Sequence, residues 1–118
     1  MADTPAKFYK VEAVIKPFKL DEVKDRLEAS GFIGMTVIEA RGKGERKGHS
    51  ELYRGSEYTI DFLSKVKLEI IVEGEVASKK VAEIISQSAR TGSLGDGPVL
   101  IYELNSAVHI SDGRPYIS

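Results

Sequence analysis

A glycine-rich turn is the first stretch whose residue types could do chemistry. In Thr91-Gly92-Ser93-Leu94-Gly95-Asp96-Gly97, three glycines fall between a segment with helical periodicity and one with strand character. Glycines let backbone N–H groups converge closely on an anion, so the turn could cradle a phosphate. The spacing is not that of a Walker loop, and a tight helix-to-strand connection is the simpler interpretation. Asp96 would need a neighbouring cation or a ribose hydroxyl to sit beside a phosphate.

A second candidate is the segment formed by residues 42–61. It has four glycines, a mixture of basic and acidic side chains, and hydroxyl groups on Ser50, Tyr53, Ser56 and Tyr58. It shows no hydrophobic period, and an irregular connection this long inside a compact domain is typically functional or disordered. We therefore predict a segment that is mobile until something holds it. Its tyrosines could be modification sites or interface anchors, or ordinary exposed side chains.

Catalytic and metal centres are not predicted. His49 and His109 lie far apart with no carboxylate or cysteine at ligand spacing, which disfavours zinc. Ser50 is adjacent to His49, and adjacent residues do not form a nucleophile–base pair. No acid/base pair stands out, so we expect a protein that is not an enzyme.

Composition narrows the class further. The 118 residues fit one domain, spanning 1–118, and 17 basic against 18 acidic residues leave a net charge of −1. That balance argues against a nucleic-acid partner, and the central strand lacks the stacking aromatics of an RNA-binding sheet. There is no cysteine, which excludes disulfides. No apolar run suits a membrane span or a signal peptide, so a cytoplasmic location is expected.

The hydrophobic pattern predicts an α+β fold. Period-two alternation predicts strands at residues 8–15, 33–40, 62–72, 99–104 and 108–110, and helical periodicity marks residues 20–30 and 76–90. The ends, residues 1–7 and 112–118, are expected to be flexible. This order is that of a ferredoxin-like β-α-β-β-α-β sandwich, with two helices on one face of an antiparallel sheet.

The other face of that sheet has a mixed composition. Lys10, Glu12, Lys65, Lys67 and Glu69 alternate onto it together with Val14 and Ile71. The mixture is too apolar for open water and too charged for a core. We predict a subunit interface there, with a solvated sheet face as the alternative.

Several stretches together resemble one known family. They are Lys16-Pro17-Phe18-Lys19-Leu20-Asp21-Glu22-Val23, Gly34-Met35-Thr36-Val37, Lys47-Gly48-His49, Glu51-Leu52-Tyr53-Arg54-Gly55-Ser56-Glu57-Tyr58 and the 91–97 turn. On these motifs, the chain is identified as a member of the PII signal-transduction superfamily over residues 8–113. The Tyr-Arg-Gly-Ser-Glu-Tyr run between two strands is the most specific of them.

The resemblance implies a homotrimer with adenine-nucleotide clefts between subunits. Residues 42–61 would be the family's T-loop, which contacts a target protein, and residues 91–98 its B-loop. The target could be a transporter or channel, an enzyme or a transcriptional regulator, so a membrane would be involved only indirectly. By matching position, Thr36, Glu69 and Ile71 would border the adenine; Gly42, Gly44, Gly95, Asp96 and Gly97 would line the ribose and phosphates. Lys65 would meet 2-oxoglutarate, Tyr58 matches a uridylylated tyrosine, and Ser56 matches a phosphorylated serine.

Four positions depart from the family's pattern. Arg46 stands where a glutamine ligates Mg²⁺ and, through it, 2-oxoglutarate, and a guanidinium has no lone pair for a metal. Pro98 replaces a lysine, and His109 and Ser111 replace arginines. Each lost charge-assisted hydrogen bond to a phosphate is worth roughly 1.5–3 kcal/mol.

These departures favour a divergent PII-like regulator that binds ADP or AMP better than ATP. Bicarbonate is a candidate effector, with Arg46 and Lys65 as its ligands. One alternative is a standard PII nitrogen regulator that senses ATP/ADP and 2-oxoglutarate. A second alternative is a structural trimer whose ligand site has decayed.

Overall fold

The computed structural model describes residues 6–43, 50–53, 56–59 and 62–117, with the side chains of residues 6–41 and 64–116. The strands are β1 (Phe8–Ile15), β2 (Thr36–Lys43), β3 (Ser50–Tyr53), β4 (Ser56–Thr59), β5 (Phe62–Glu73), β6 (Val99–Glu103), β7 (Ala107–Val108) and β8 (Pro115–Ile117). The helices are α1 (Leu20–Ala29), which follows a 3₁₀ turn at Pro17–Lys19, and α2 (Glu75–Ala89).

Four strands form the main sheet, in the order β2-β5-β1-β6. Every neighbouring pair is antiparallel; Val11, for example, is opposite Ile70 on one side and Ile101 on the other. Both α-helices pack on one face of this sheet, because their buried side chains share a core with its inward-facing residues. The predicted ferredoxin-like α+β fold is confirmed.

The core lies between that sheet face and the two helices. Alternate residues of the two central strands are buried, as the period-two pattern predicts, and the helices add one apolar stripe each. Its members are Tyr9, Val11, Ala13, Ile15, Val66, Leu68, Ile70 and Val72 from the strands, and Val23, Leu27, Val81, Ile84 and Ile85 from the helices. Removing this apolar surface from water supplies the main driving force for folding.

The start and the end of helix α2 are set by the backbone conformation of the residues that flank it. Gly74 precedes the helix with φ +99°, a conformation that glycine adopts without strain, and its N–H donates to the Lys7 carbonyl at 2.8 Å. The Ser78 hydroxyl donates to the Glu75 carbonyl at 2.7 Å in the first turn. The helix ends at Ala89, and Arg90 has extended backbone angles (φ −65°, ψ 131°) that send the chain into the glycine-rich turn.

The sheet face opposite the helices carries the predicted mixture of charge and apolar surface. Lys10 lies 3.2 Å from Glu12, and Lys67 lies 3.7 Å from Glu12 and 3.5 Å from Glu69, measured from lysine Nζ to carboxylate oxygen. The hydrogen bond to Glu12 raises the pKa of Lys10, and the charge of Glu69 adds to that effect. The two lysines and two glutamates form a network of ion pairs with no net charge on this face.

Residues 42–61 contain more regular structure than the sequence predicted. Strand β2 continues to Lys43, β3 and β4 pair as an antiparallel ladder with Glu51 opposite Tyr58, and β5 begins at Phe62. The prediction of a wholly irregular segment is therefore wrong. Pairing satisfies backbone N–H and C=O groups even where side chains show no hydrophobic period, which is why the period did not reveal these strands.

Two other boundaries differ from the prediction. Strand β2 begins at Thr36 instead of residue 33, because Gly34 has φ +89°, outside the extended region. Residues 112–118 are expected from the sequence to be flexible, and within them Pro115–Ile117 pairs with Ala107–Val108. The ring of Tyr116 packs edge-on against Phe8 at 5.4 Å between centroids, and this tertiary contact holds the end of the chain.

Candidate functional site

A cleft of about 510 Å³ lies where the end of β1, helix α2 and the glycine-rich turn meet. Of the β5 side chains that the structure describes, Lys65 is the one that lines it. The wall includes Val14, Ile15 and Lys16 from the first strand and its end, Lys79, Glu83, Ser86 and Arg90 from α2 and its end, and Gly95, Asp96, Gly97 and Pro98 from the turn. A mostly preformed concave surface with a few convergent polar groups is the usual form of a small-ligand site.

Asp96 holds the glycine-rich turn together from within. One carboxylate oxygen accepts hydrogen bonds from the backbone N–H groups of Thr91 and Gly92, each at 2.9 Å. The other accepts from the Thr91 hydroxyl at 2.6 Å. Asp96 therefore closes the turn with its side chain, and the tight helix-to-strand connection expected from the sequence is present.

The same hydrogen bonds stabilise the ionised form of Asp96. The Thr91 hydroxyl is the largest cause, followed by the backbone N–H of Thr91; with smaller contributions from Gly92 and Lys16, they lower the pKa of Asp96 from 3.8 to about 2. At neutral pH the carboxylate is charged and occupied by these donors, so it is directed into the turn as a scaffold.

This shift predicts acid-sensitive order in the turn. Because the folded-state pKa is lower than the unfolded one, the stabilisation from Asp96 is complete above pH 3.8 and is lost as pH falls towards about 2. We expect the amide NMR shifts of Thr91 and Gly92 to titrate with a midpoint of about 2. In Asp96→Asn that step should vanish, whereas a wild-type midpoint near 3.8 would contradict the arrangement.

Lys16 is the cation beside Asp96. Its Nζ lies 3.7 Å from the Asp96 carboxylate and 3.4 Å from the Ser93 hydroxyl. Lys16 begins one of the motifs that resemble the family, but the sequence alone predicts no role for it. Only the packing of the strand end against a turn almost 80 residues later brings them together, so no local pattern could have revealed the contact.

Neither the backbone angles nor the packing of the chain requires glycine at positions 95 and 97. Neither has a left-handed φ, and a Cβ at Gly97 would meet nothing within 4 Å among the described residues. At Gly95 a Cβ would come to 3.6 Å from Lys16 Nζ, an ordinary van der Waals contact. The missing side chains leave open space beside the cleft, which suits close approach of a ligand to the backbone.

The predicted site residues fall into two groups in the chain. Gly95, Asp96, Gly97 and Lys65 all line the cleft. The predicted adenine neighbours do not line it: Thr36 is opposite Glu69 in the β2–β5 pair, and Ile71 is half-exposed near the far end of β5. One chain therefore does not bring the predicted adenine and phosphate positions into a single pocket.

The remaining predicted positions lie in or near residues 42–61. The backbone of Gly42 is in β2, opposite Leu63. Ser56 and Tyr58 are in β4, opposite Tyr53 and Glu51, and their side chains lie outside the described residues. Gly44 and Arg46 also lie outside the described residues.

The structure also places Pro98 and His109, two of the residues that depart from the family's pattern. Pro98 lines the cleft, where it offers neither a cation nor an N–H donor. His109 is not part of the cleft; it lies in the β7–β8 hairpin with its ring 4.7 Å from that of Tyr116. Arg90, which the sequence predicts to be less well placed than Lys43 or Arg46 to replace a lost phosphate-binding cation, does line the cleft.

Two other features, a metal-binding cluster and a membrane-spanning helix, are not found in the described part of the chain. Among the described residues no three His, Cys, Asp or Glu side chains are grouped to hold a metal ion. None of the helices in those ranges is both long and apolar enough to cross a membrane.

Comparison with known proteins identifies the family. The profile of the family described as Nitrogen regulatory protein P-II matches residues 8–114. The chain belongs to the P-II family. It is 51% identical over 105 residues to the Nitrogen regulatory protein P-II of Rhodospirillum rubrum, covering 89% of this chain and 93% of that one. The P-II protein of Haemophilus influenzae is 50% identical over the same length and with the same coverage.

A solved structure gives the same assignment. The crystal structure of Arabidopsis thaliana PII bound to citrate superposes with a TM-score of 0.69 at 33% identity, covering 93% of this chain and 89% of that one. The family recognised from the sequence motifs is thus confirmed, as is a nitrogen regulatory protein rather than an enzyme. The divergence expected from four positions is minor beside an identity of about 50% over 105 residues to proteins of this name.

Proposed function

We propose that this P-II family protein binds an adenine nucleotide in the cleft, ADP or AMP in preference to ATP, and relays its occupancy to a target protein through residues 42–61. The observation that carries the proposal is the cleft itself: a turn with two side-chain-free positions, closed by Asp96, faces basic residues from three other elements. Backbone N–H groups and cations converging on one space are the usual requirements of a phosphate site.

The preference for fewer phosphates follows from the charge around the cleft. In the part of the chain that the structure describes, four basic side chains line it: Lys16, Lys65, Lys79 and Arg90. Lys16 is paired with Asp96, and Lys79 lies 3.3 Å from Glu75. Lys65 and Arg90 have no carboxylate within 4 Å among the described residues. With these two cations available, a third phosphate gains less binding free energy than the first two. Pro98 adds no charge to compensate.

A homotrimer is proposed because the candidate site is incomplete in one chain. Thr36, Glu69 and Ile71 lie on or near the exposed sheet face, away from the cleft. That face is half-apolar, with Val14 40% and Ile71 49% exposed, around the charge network. Neighbouring copies that cover this face would bring these residues next to another copy's cleft.

The test is calorimetric titration of the purified protein with AMP, ADP and ATP. We expect ADP or AMP to bind more tightly than ATP, with no requirement for Mg²⁺, and light scattering to give a mass about three times 12.9 kDa. Bicarbonate added to each titration tests it as a second effector near Lys65 and Arg46. Absence of any binding, or of any rise in melting temperature, would favour the trimer with a decayed site.

A second candidate function is the standard nitrogen sensor of ATP, ADP and 2-oxoglutarate. Identity near 50% to proteins named Nitrogen regulatory protein P-II favours it. The citrate bound to Arabidopsis PII shows that this relative accepts a polycarboxylate. Tight binding of 2-oxoglutarate that requires Mg²⁺ and ATP would establish this alternative and reject the preference for ADP or AMP.

A further inference from the structure

We propose that Arg90, at the carboxyl end of α2, binds the terminal phosphate of the nucleotide and so determines how many phosphates the cleft prefers. This inference rests on the proposed function and extends it, because it assigns phosphate recognition to the α2 wall of the cleft. None of the residues expected from the sequence to meet the phosphates belongs to this helix.

The position of Arg90 supports this role. It follows the last helical residue, Ala89, and its extended backbone places it between the helix and the glycine-rich turn. It lines the same cleft as Gly95, Gly97 and Lys65. A ligand held against the turn is therefore flanked by the arginine on the helix side and by the lysine on the sheet side.

The contacts of Arg90 leave its charge available. Among the described residues its guanidinium makes one side-chain hydrogen bond, from Nη2 to the Ser86 hydroxyl at 3.4 Å, which is long and involves a neutral acceptor. No carboxylate of the described chain comes within 4 Å of it, in contrast to Lys16 and Lys79, which also line the cleft. A planar guanidinium can grip two phosphate oxygens at once, which a lysine cannot do.

Negative charge around the carboxyl end of α2 would oppose phosphate binding unless a cation lies there. The last carbonyl groups of a helix carry partial negative charge, which would repel a phosphate brought to the end of α2. Glu83 lines the cleft about two helical turns earlier and adds to that repulsion. Arg90 offsets both, so removing it should weaken phosphate binding in particular and leave contacts to the base and ribose intact.

A purely structural role gives different expectations. An arginine at a helix carboxyl end also stabilises the helix through its dipole, whether or not a ligand binds. If that were its only role, Arg90→Ala would lower the melting temperature and leave the relative affinities for adenosine, AMP and ADP unchanged.

The experiment compares Arg90→Ala with Lys80→Ala, which removes one exposed cation from the same helix outside the cleft. Affinities for adenosine, AMP and ADP are measured by calorimetry on the trimer or whatever assembly the wild type forms, together with melting temperatures. We expect Arg90→Ala to weaken ADP at least about tenfold and adenosine less than about twofold, with Arg90→Lys in between. Lys80→Ala should match the wild type for every ligand.

The outcomes separate the two proposals. If the wild type binds ADP and Arg90→Ala binds it equally well, the role of Arg90 is overturned while the proposed function stands. If adenosine and ADP weaken by the same factor, Arg90 acts through the fold and the inference fails. If the wild type binds none of the three ligands, the proposed function itself fails.

Discussion

Replacing Leu68 with alanine should lower the free energy of unfolding by about 2–5 kcal/mol, the range for deleting a fully buried leucine. Leu68 is 0% exposed in β5, with Ala13 opposite it on β1 and Val37 opposite it on β2. The central strands are held from both sides, so the cavity cannot collapse easily. A loss of this size is a large fraction of the total stability of a small domain.

Denaturant unfolding of the wild type and the variant at one protein concentration measures this loss. The matched control is Leu94→Ala, since Leu94 is 97% exposed and the same atoms are removed. It should change the unfolding free energy by no more than about 0.5 kcal/mol. If Leu68→Ala were equally mild, the core between the sheet and the helices would be incorrectly assigned.

Reversing the charge of Lys65 should reduce ADP affinity at least about 100-fold, or 2.7 kcal/mol. Lys65 lines the cleft from β5 and has no carboxylate within 4 Å among the described residues. Lys65→Glu removes a charge-assisted hydrogen bond worth roughly 1.5–3 kcal/mol and adds repulsion between the new carboxylate and the phosphates. The effect should therefore exceed that of Arg90→Ala.

Lys80→Glu is the control for Lys65→Glu, because it makes the same reversal at an exposed position of α2 outside the cleft. Calorimetry with ADP, AMP and adenosine should show no change for Lys80→Glu. For Lys65→Glu the loss should grow with the number of phosphates on the ligand. An ADP affinity within about threefold of the wild type would mean that the nucleotide binds elsewhere.

Much of the fold could be predicted from the sequence because the core follows simple periods. Tyr9, Val11, Ala13 and Ile15 alternate, Val81, Ile84 and Ile85 fall on one helical stripe, and all of them are buried. Of the hairpin at residues 107–117, the first strand overlaps the one predicted at 108–110, whereas the second was missed because three residues are too few to show a period. Its stability comes from Tyr116 packing on Phe8, a contact between the two ends of the chain.

The candidate site was only half predictable. The glycines of residues 91–97 and Lys65 were found through a compositional signal and a family motif, and the structure brings them to one cleft. Lys16 and Arg90 carry no signal of their own, because a lysine before a proline and an arginine after a helix are common on surfaces. Their role depends on the distance between elements remote in sequence, which only the folded chain defines.

The hydrogen bonds of Asp96 have a consequence for the thermodynamics of recognition. They cross-link residues 91–96 within the chain itself, so part of the conformational entropy of this loop is lost when the chain folds. Preorganisation of this kind spares the binding step an ordering cost. A ligand of the proposed kind would then need fewer contacts for a given affinity, and its release would leave the hydrogen bonds of Asp96 in place.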